Sequence, residues 1–183
     1  MEVEFSANEA FILAEEVEKK ATVFYLDAAD NSTRASLRDL FTGLARMEVD
    51  HALVFAAMRE QLAKAAPPPA AGKTVPAGAE APLAAGKAAP AVEGSPPLPP
   101  ELWPTLARSM IDALDDELPN FFSRNQTSQD ILRGAMAFER ETIAFLTGMK
   151  NMMSSAQEKA RVDAIIVEEL GHLLQLAGQL ANL

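Results

Sequence analysis

From Ser6 onward the apolar residues recur every three to four positions: Phe11, Ala14, Ala21 and Tyr25 share one helical face, with Glu18 in the middle of that stripe. Ser6 and Glu9 stand ahead of it in capping-box spacing, so a first helix is predicted over residues 7–30. Leu37, Phe41, Leu44, Phe55, Met58 and Leu62 repeat the period, this time with Glu48 and His51 inside the stripe, and Asn31 or Ser32 offers an N-cap. These features predict a second helix over 32–65. Three prolines, Pro67, Pro68 and Pro69, then stop it, and residues 67–104 are largely Pro, Ala and Gly, a linker-like composition with no period. Between Trp103-Pro104 and Pro119-Asn120, residues 105–118 carry a short amphipathic helical pattern. A third long helix is predicted over 128–153, capped by Thr127 or Ser128, with Leu132, Ala135, Glu139, Ile143 and Leu146 on one face. Ser155 and Glu158 form another capping-box pair ahead of a fourth helix, 156–182.

Two tight helical hairpins joined by one long connection specify an all-α four-helix bundle with a long crossover between its second and third helices, in a single domain. Each long helix spans roughly 35–45 Å, and the Pro/Ala stretch has the reach to return along the bundle, so the second and third helices can run parallel. Composition agrees: of 183 residues 49% are hydrophobic but only 6% aromatic, which favours helices over strands. A net charge of −10 with no basic face argues against nucleic acid as a partner. The absence of cysteine excludes disulfides, thiolate metal sites and iron-sulfur clusters, so electrons for any redox chemistry come from an external donor. The start of the chain has no signal-peptide pattern, and no apolar run reaches membrane-spanning length. A cytoplasmic protein that binds no membrane is expected.

The two halves align on their glutamates. Glu18 to Glu48 is 30 residues, and so is Glu139 to Glu169. Phe11 matches Leu132, Ala14 matches Ala135 and Phe24 matches Phe145; in the second helices Phe41 matches Val162, Leu44 matches Ile165, His51 matches His172 and Phe55 matches Leu176. A helical hairpin duplicated within one chain brings its polar core residues together about a pseudo-twofold axis. One site with two like halves is expected.

Glu48 and His51 lie three residues apart, as do Glu169 and His172, so each pair projects from one face of its helix into the apolar stripe. With Glu18 and Glu139 this makes four inward carboxylates. Each would cost several kcal/mol, on the order of the penalty for any unpaired buried charge, and the matching positions supply no Lys or Arg. Two divalent cations would neutralise them, and oxygen and nitrogen donors suit iron or manganese. A single Glu-x-x-His usually arises by accident on an exposed face; two copies at equal spacing in apolar stripes do not read that way.

The segments EKKATVFY (Glu18 to Tyr25), EVDH (Glu48 to His51), FERETIAFL (Phe138 to Leu146) and EELGH (Glu168 to His172) resemble the rubrerythrin and ferritin-like di-iron carboxylate proteins. The resemblance covers the four long helices and not the Pro/Ala stretch. It implies that Glu48 and Glu169 bridge two metal ions, that Glu18 and Glu139 bind on the outer sides, and that His51 and His172 bind one metal each. Tyr25 takes the place of a family tyrosine whose hydroxyl supports a ligand carboxylate; as a residue it reads equally as a core aromatic. Three departures limit the match. Thr142 stands where rubrerythrins often carry another Glu, Leu146 stands where they often carry a second Tyr, and the rubredoxin domain is missing. Glu141 does not replace the missing Glu, since it points about 200° away from Glu139, and Glu15, Glu16 and Glu168 read as solvated or bundle-edge charges.

The resemblance implies a di-iron protein that reacts with O2 or H2O2, of peroxidase or ferroxidase type and forming a homodimer. The alternative is storage or delivery of iron or manganese without turnover. A third reading is an interaction protein in which the metals are only structural.

Overall fold

In the computed structural model, residues 6–65, 105, 108, 109, 111, 112, 121, 122 and 126–183 are described. They contain four long helices and no strand: α1 (Ala7–Asp30), α2 (Ala35–Ala65), α3 (Ser128–Met152) and α4 (Ala156–Ala181). Among the described residues no helix is long and apolar enough to cross a membrane. The stretch 67–104 lies outside them, as does most of 105–118. Of the latter, Thr105, Arg108, Ser109, Ile111 and Asp112 are helical, and Ile111 is buried against the core.

Local chemistry explains the helix ends. Ser6 and Glu9 exchange both capping-box bonds ahead of α1, and Thr127 does the same with Asp130 ahead of α3. Two expectations need correction. Neither Asn31 nor Ser32 caps α2. Asn31 closes α1 through its backbone N–H, and the Ser32 hydroxyl donates to the carbonyl of Ala28, so both residues finish the first helix and α2 starts only at Ala35. At α4, Ser155 accepts from the Glu158 N–H at 3.4 Å, but the Glu158 side chain does not complete a box; it lines a cleft with Met58, Leu62 and Arg161 instead.

The core contacts fix the directions of the helices. Phe11, Ala14 and Val17 at the start of α1 share a cluster with Phe145, Leu146 and Met149 near the end of α3, whereas Tyr25 and Ala28 meet Ile131, Leu132 and Ala135 near its start. Helices α1 and α3 are therefore antiparallel. The same holds for α2 and α4, since Leu37 and Phe41 cluster with Leu176, and Gln61 accepts a hydrogen bond from Arg161. Because each hairpin is also antiparallel, α2 and α3 run in the same sense. The end of α2 and the start of α3 therefore lie at opposite ends of the bundle.

The core forms two apolar plugs, one toward each end of the bundle. All the apolar residue pairs matched by the internal repeat are buried in them, from Phe11 and Leu132 to Phe55 and Leu176. Each fully buried Phe or Leu contributes roughly 1.5–3 kcal/mol. Gly134 in α3 has a specific steric reason to be small: a Cβ there would come within 2.5 Å of the Phe121 ring, which packs in the aromatic cluster with Phe24 and Phe122.

Candidate metal centre

Between the two plugs the helices hold a polar layer. Glu18 from α1, Glu48 and His51 from α2, Glu139 from α3, and Glu169 and His172 from α4 are each at most 2% exposed. Helical spacing puts each of them in an apolar stripe, and the antiparallel pairing brings the stripes together at one level. The six fall into two four-donor groups: Glu18, Glu48, His51 and Glu169; and Glu48, Glu139, Glu169 and His172. Within each group, one ligand atom per residue lies within 4.8 Å of all the others.

Glu48 and Glu169 belong to both groups and divide their oxygens between them. His51 Nδ1 lies 3.2 Å from Glu48 Oε2 and 2.9 Å from Glu169 Oε1. His172 Nδ1 lies 3.1 Å from Glu48 Oε1 and 2.9 Å from Glu169 Oε2. Each shared carboxylate thus turns one oxygen to each imidazole, and the rings stack with centroids 5.7 Å apart. Glu18 stands on the His51 side. Glu139 stands on the other, 3.4 Å from His172 Nδ1.

Hydrogen bonding leaves much of this layer unsatisfied. Both oxygens of Glu18, both of Glu169, Glu48 Oε1 and both nitrogens of His172 are buried with no aligned partner, although three carboxylates crowd His172 Nδ1. So many orphaned polar atoms in one place are unfavourable in a bare protein core and are what a cation-binding site requires. The donor set is oxygen and nitrogen only, and Glu18, Glu48, Glu169 and His172 all belong to the two four-donor groups. These buried groups fit divalent metal ions and can hold them.

Their proton affinities reflect the same crowding. Burial, reinforced by the charges of Glu169 and Glu48, pushes Glu18 well above the carboxylate range. Burial also lifts Glu139 to about 8, against the opposing pull of His172. For Glu169 burial is outweighed by contacts with His172 and His51, and it falls to about 2. Burial alone would depress the histidines, but the surrounding carboxylates dominate, lifting His51 to about 11 and His172 to about 12. These shifts favour protons on Glu18, Glu139 and both histidines wherever no cation neutralises the carboxylates.

Two further residues touch the layer. The Tyr25 hydroxyl donates across the bundle to Glu139 Oε1, and Tyr25 itself is buried, its phenol held well above its ordinary value by burial and by Glu139. Tyr25 is thus a core aromatic whose hydroxyl also reaches Glu139. Glu168 is an edge charge with a partner that its sequence position did not indicate. Its side chain is 59% exposed at the bundle edge, and its Oε2 accepts from His51 Nε2–H at 2.8 Å. Its position next to Glu169 gave no signal, because one residue of offset turns a side chain about 100° out of the stripe; the bond forms because His51 reaches that edge from the neighbouring helix. Glu15 does behave as an edge charge, paired with Lys19 and Arg59, while Glu16 and Glu141 are exposed. Thr142 is buried, with no partner for its hydroxyl.

Compared with models of known families, with curated proteins and with solved structures, the chain gives no match.

Proposed function

We propose that Glu18, Glu48, His51, Glu139, Glu169 and His172 hold two iron ions and that the protein is an oxidoreductase that reacts with O2 or H2O2. The observation that carries this reading is the division of each shared carboxylate, Glu48 and Glu169, into one oxygen for each imidazole. Four carboxylates and two neutral imidazoles balance two divalent ions without leaving net charge in the core. The ions would supply one-electron redox chemistry at a site open to a small oxidant. The chain's own contribution is to fix the donors on rigid helices, to exclude bulk water with an apolar plug on either side, and to hold Glu139 through the Tyr25 hydroxyl.

The duplicated Glu-x-x-His pattern and the same-sense run of α2 and α3 support a ferritin-like bundle of the rubrerythrin kind, with the return crossover between residues 65 and 128. Because cysteine is absent, an external donor would return the electrons. A homodimer belongs to the same proposal, supported by Val23, Leu26, Val49 and Leu53, exposed on the outer face of the first hairpin.

Anaerobic loading of the apoprotein with Fe(II), followed by H2O2 or O2, tests the reading through the absorbance of the oxidised centre. Two irons per chain, oxidised within the assay and reduced again by an added donor, are expected. Unchanged Fe(II), or metal content well below two per chain, would refute it. Uptake without a repeatable cycle would instead favour iron or manganese storage or delivery.

A further inference from the structure

The repeat holds at all six inward residues and breaks one residue ahead of each Glu-x-x-His. Glu168 precedes Glu169 in α4; the corresponding residue in α2, ahead of Glu48, is Met47. The consequence is visible in the imidazoles. His51 Nε2–H donates to Glu168 Oε2 at 2.8 Å, whereas His172 Nε2 is buried with no partner among the described residues. A thioether at Met47 is at best a weak acceptor. The outer carboxylates break the symmetry the opposite way: Tyr25 donates to Glu139, while its counterpart Leu146 has no hydroxyl to give and both Glu18 oxygens are without a partner.

Resting on the two-metal reading above, we propose that Glu168 is a positioning residue that makes the His51 side the tighter, first-filled metal position. A carboxylate on Nε2–H fixes the proton there, sets the ring plane and presents the Nδ1 lone pair to the space shared by Glu48 and Glu169. It also raises the donor strength of Nδ1. On the His172 side no group among the described residues performs this service, and the Tyr25 hydroxyl draws electron density from Glu139 Oε1, which weakens that oxygen as a ligand. Both asymmetries therefore favour the same position. Glu168 lies at the edge of a groove of about 470 Å³ between α2 and α4, with Asp50 and Arg161 also on its walls. Its exposure lets it be replaced without opening the core.

Co(II) added anaerobically to the apoprotein, followed by its ligand-field absorption, reads the two positions separately. The native protein is expected to bind in two steps. Glu18→Ala and Glu139→Ala identify which step belongs to which side, and the tighter one is expected to vanish in Glu18→Ala. In Glu168→Ala that step weakens by about 10–100-fold, the usual cost of losing such a partner, and its spectrum changes as the ring loses its fixed orientation, while the second step stays in place. Glu168→Gln, whose amide oxygen still accepts from Nε2–H, restores most of the affinity and the spectrum. An isotherm for Glu168→Ala superimposable on the native one overturns the proposal, as does loss in the step that Glu139→Ala removes. Glu168→Gln behaving like Glu168→Ala overturns the positioning role. If the native protein takes up no Co(II), the two-metal reading itself fails; two ions bound with Glu168→Ala unchanged sinks only the role of Glu168.

Discussion

Burial and mutual repulsion favour the protonated forms of Glu18 and Glu139, and the surrounding carboxylates favour the protonated forms of His51 and His172, so without metal these four groups are expected to hold protons at neutral pH. Divalent ions must displace those protons before the ligands can bind them. Loading two ions per chain at pH 7 is therefore expected to release up to about four protons, measurable by indicator dye in weak buffer. The same groups set the pH dependence of the apoprotein. The histidines, at about 11 and 12 against 6.5 in the unfolded chain, contribute fully below pH 6.5 and lose that contribution as pH rises toward their folded values. Glu139, lifted from 4.5 to about 8, favours the fold at low pH and loses its contribution between those values, whereas Glu169, lowered to about 2, contributes above 4.5 and loses it as pH falls. The signs combine to place the centre's optimum near pH 4.5 in the apoprotein, with stability falling steadily through pH 8. Urea denaturation followed by circular dichroism across that range checks it, and metal-loaded protein is expected to show the opposite slope between pH 5 and 8. Tyr25→Phe removes the only hydroxyl that reaches Glu139 among the described contacts and is expected to destabilise the apoprotein by about 1–3 kcal/mol, read from the same denaturation curves.

At the scale of the helix, the caps decide where each stripe starts and hence which residues meet across the bundle. Thr127 exchanges two bonds with Asp130, and Ser155 makes only one, long bond to Glu158. Thr127→Ala is accordingly expected to cost about 1 kcal/mol and Ser155→Ala clearly less, as shifts in thermal midpoint. A helix carries one residue of the layer at its outer positions and two at its Glu-x-x-His positions, so α2 and α4 each serve both metal groups while α1 and α3 serve one. Glu18→Ala and Glu139→Ala should each keep one Co(II) per chain by equilibrium dialysis, held more weakly in Glu18→Ala than in Glu139→Ala. Glu48→Ala should retain neither, with helical circular dichroism confirming that the bundle is intact.

Across the whole molecule, the polar layer is a weakness held in place by apolar plugs on both sides, and metal converts it into a strength. An ion that binds only the folded state at 100 times its dissociation constant stabilises by about 2.7 kcal/mol, so divalent metal should raise the thermal midpoint of the native protein and leave that of Glu48→Ala unmoved. The helices, the hairpin pairing and the six inward residues were legible in the sequence because each depends on period: residues three, four or seven apart share a face whatever surrounds them. The start of α2 was not. Ser32 had two backbone partners open to it, and its bond to Ala28 prevailed over capping the next helix. Nor could the sequence show that Glu168 meets His51, since the two are 117 positions apart and Glu168 lies off the stripe. Local repetition along the chain determined which side chains turn inward. Only the packing of α2 against α4 decided how the duplicated halves divide Glu48 and Glu169 between two imidazoles, and which imidazole gained a carboxylate behind it, because both depend on distances between helices that no spacing within one helix contains.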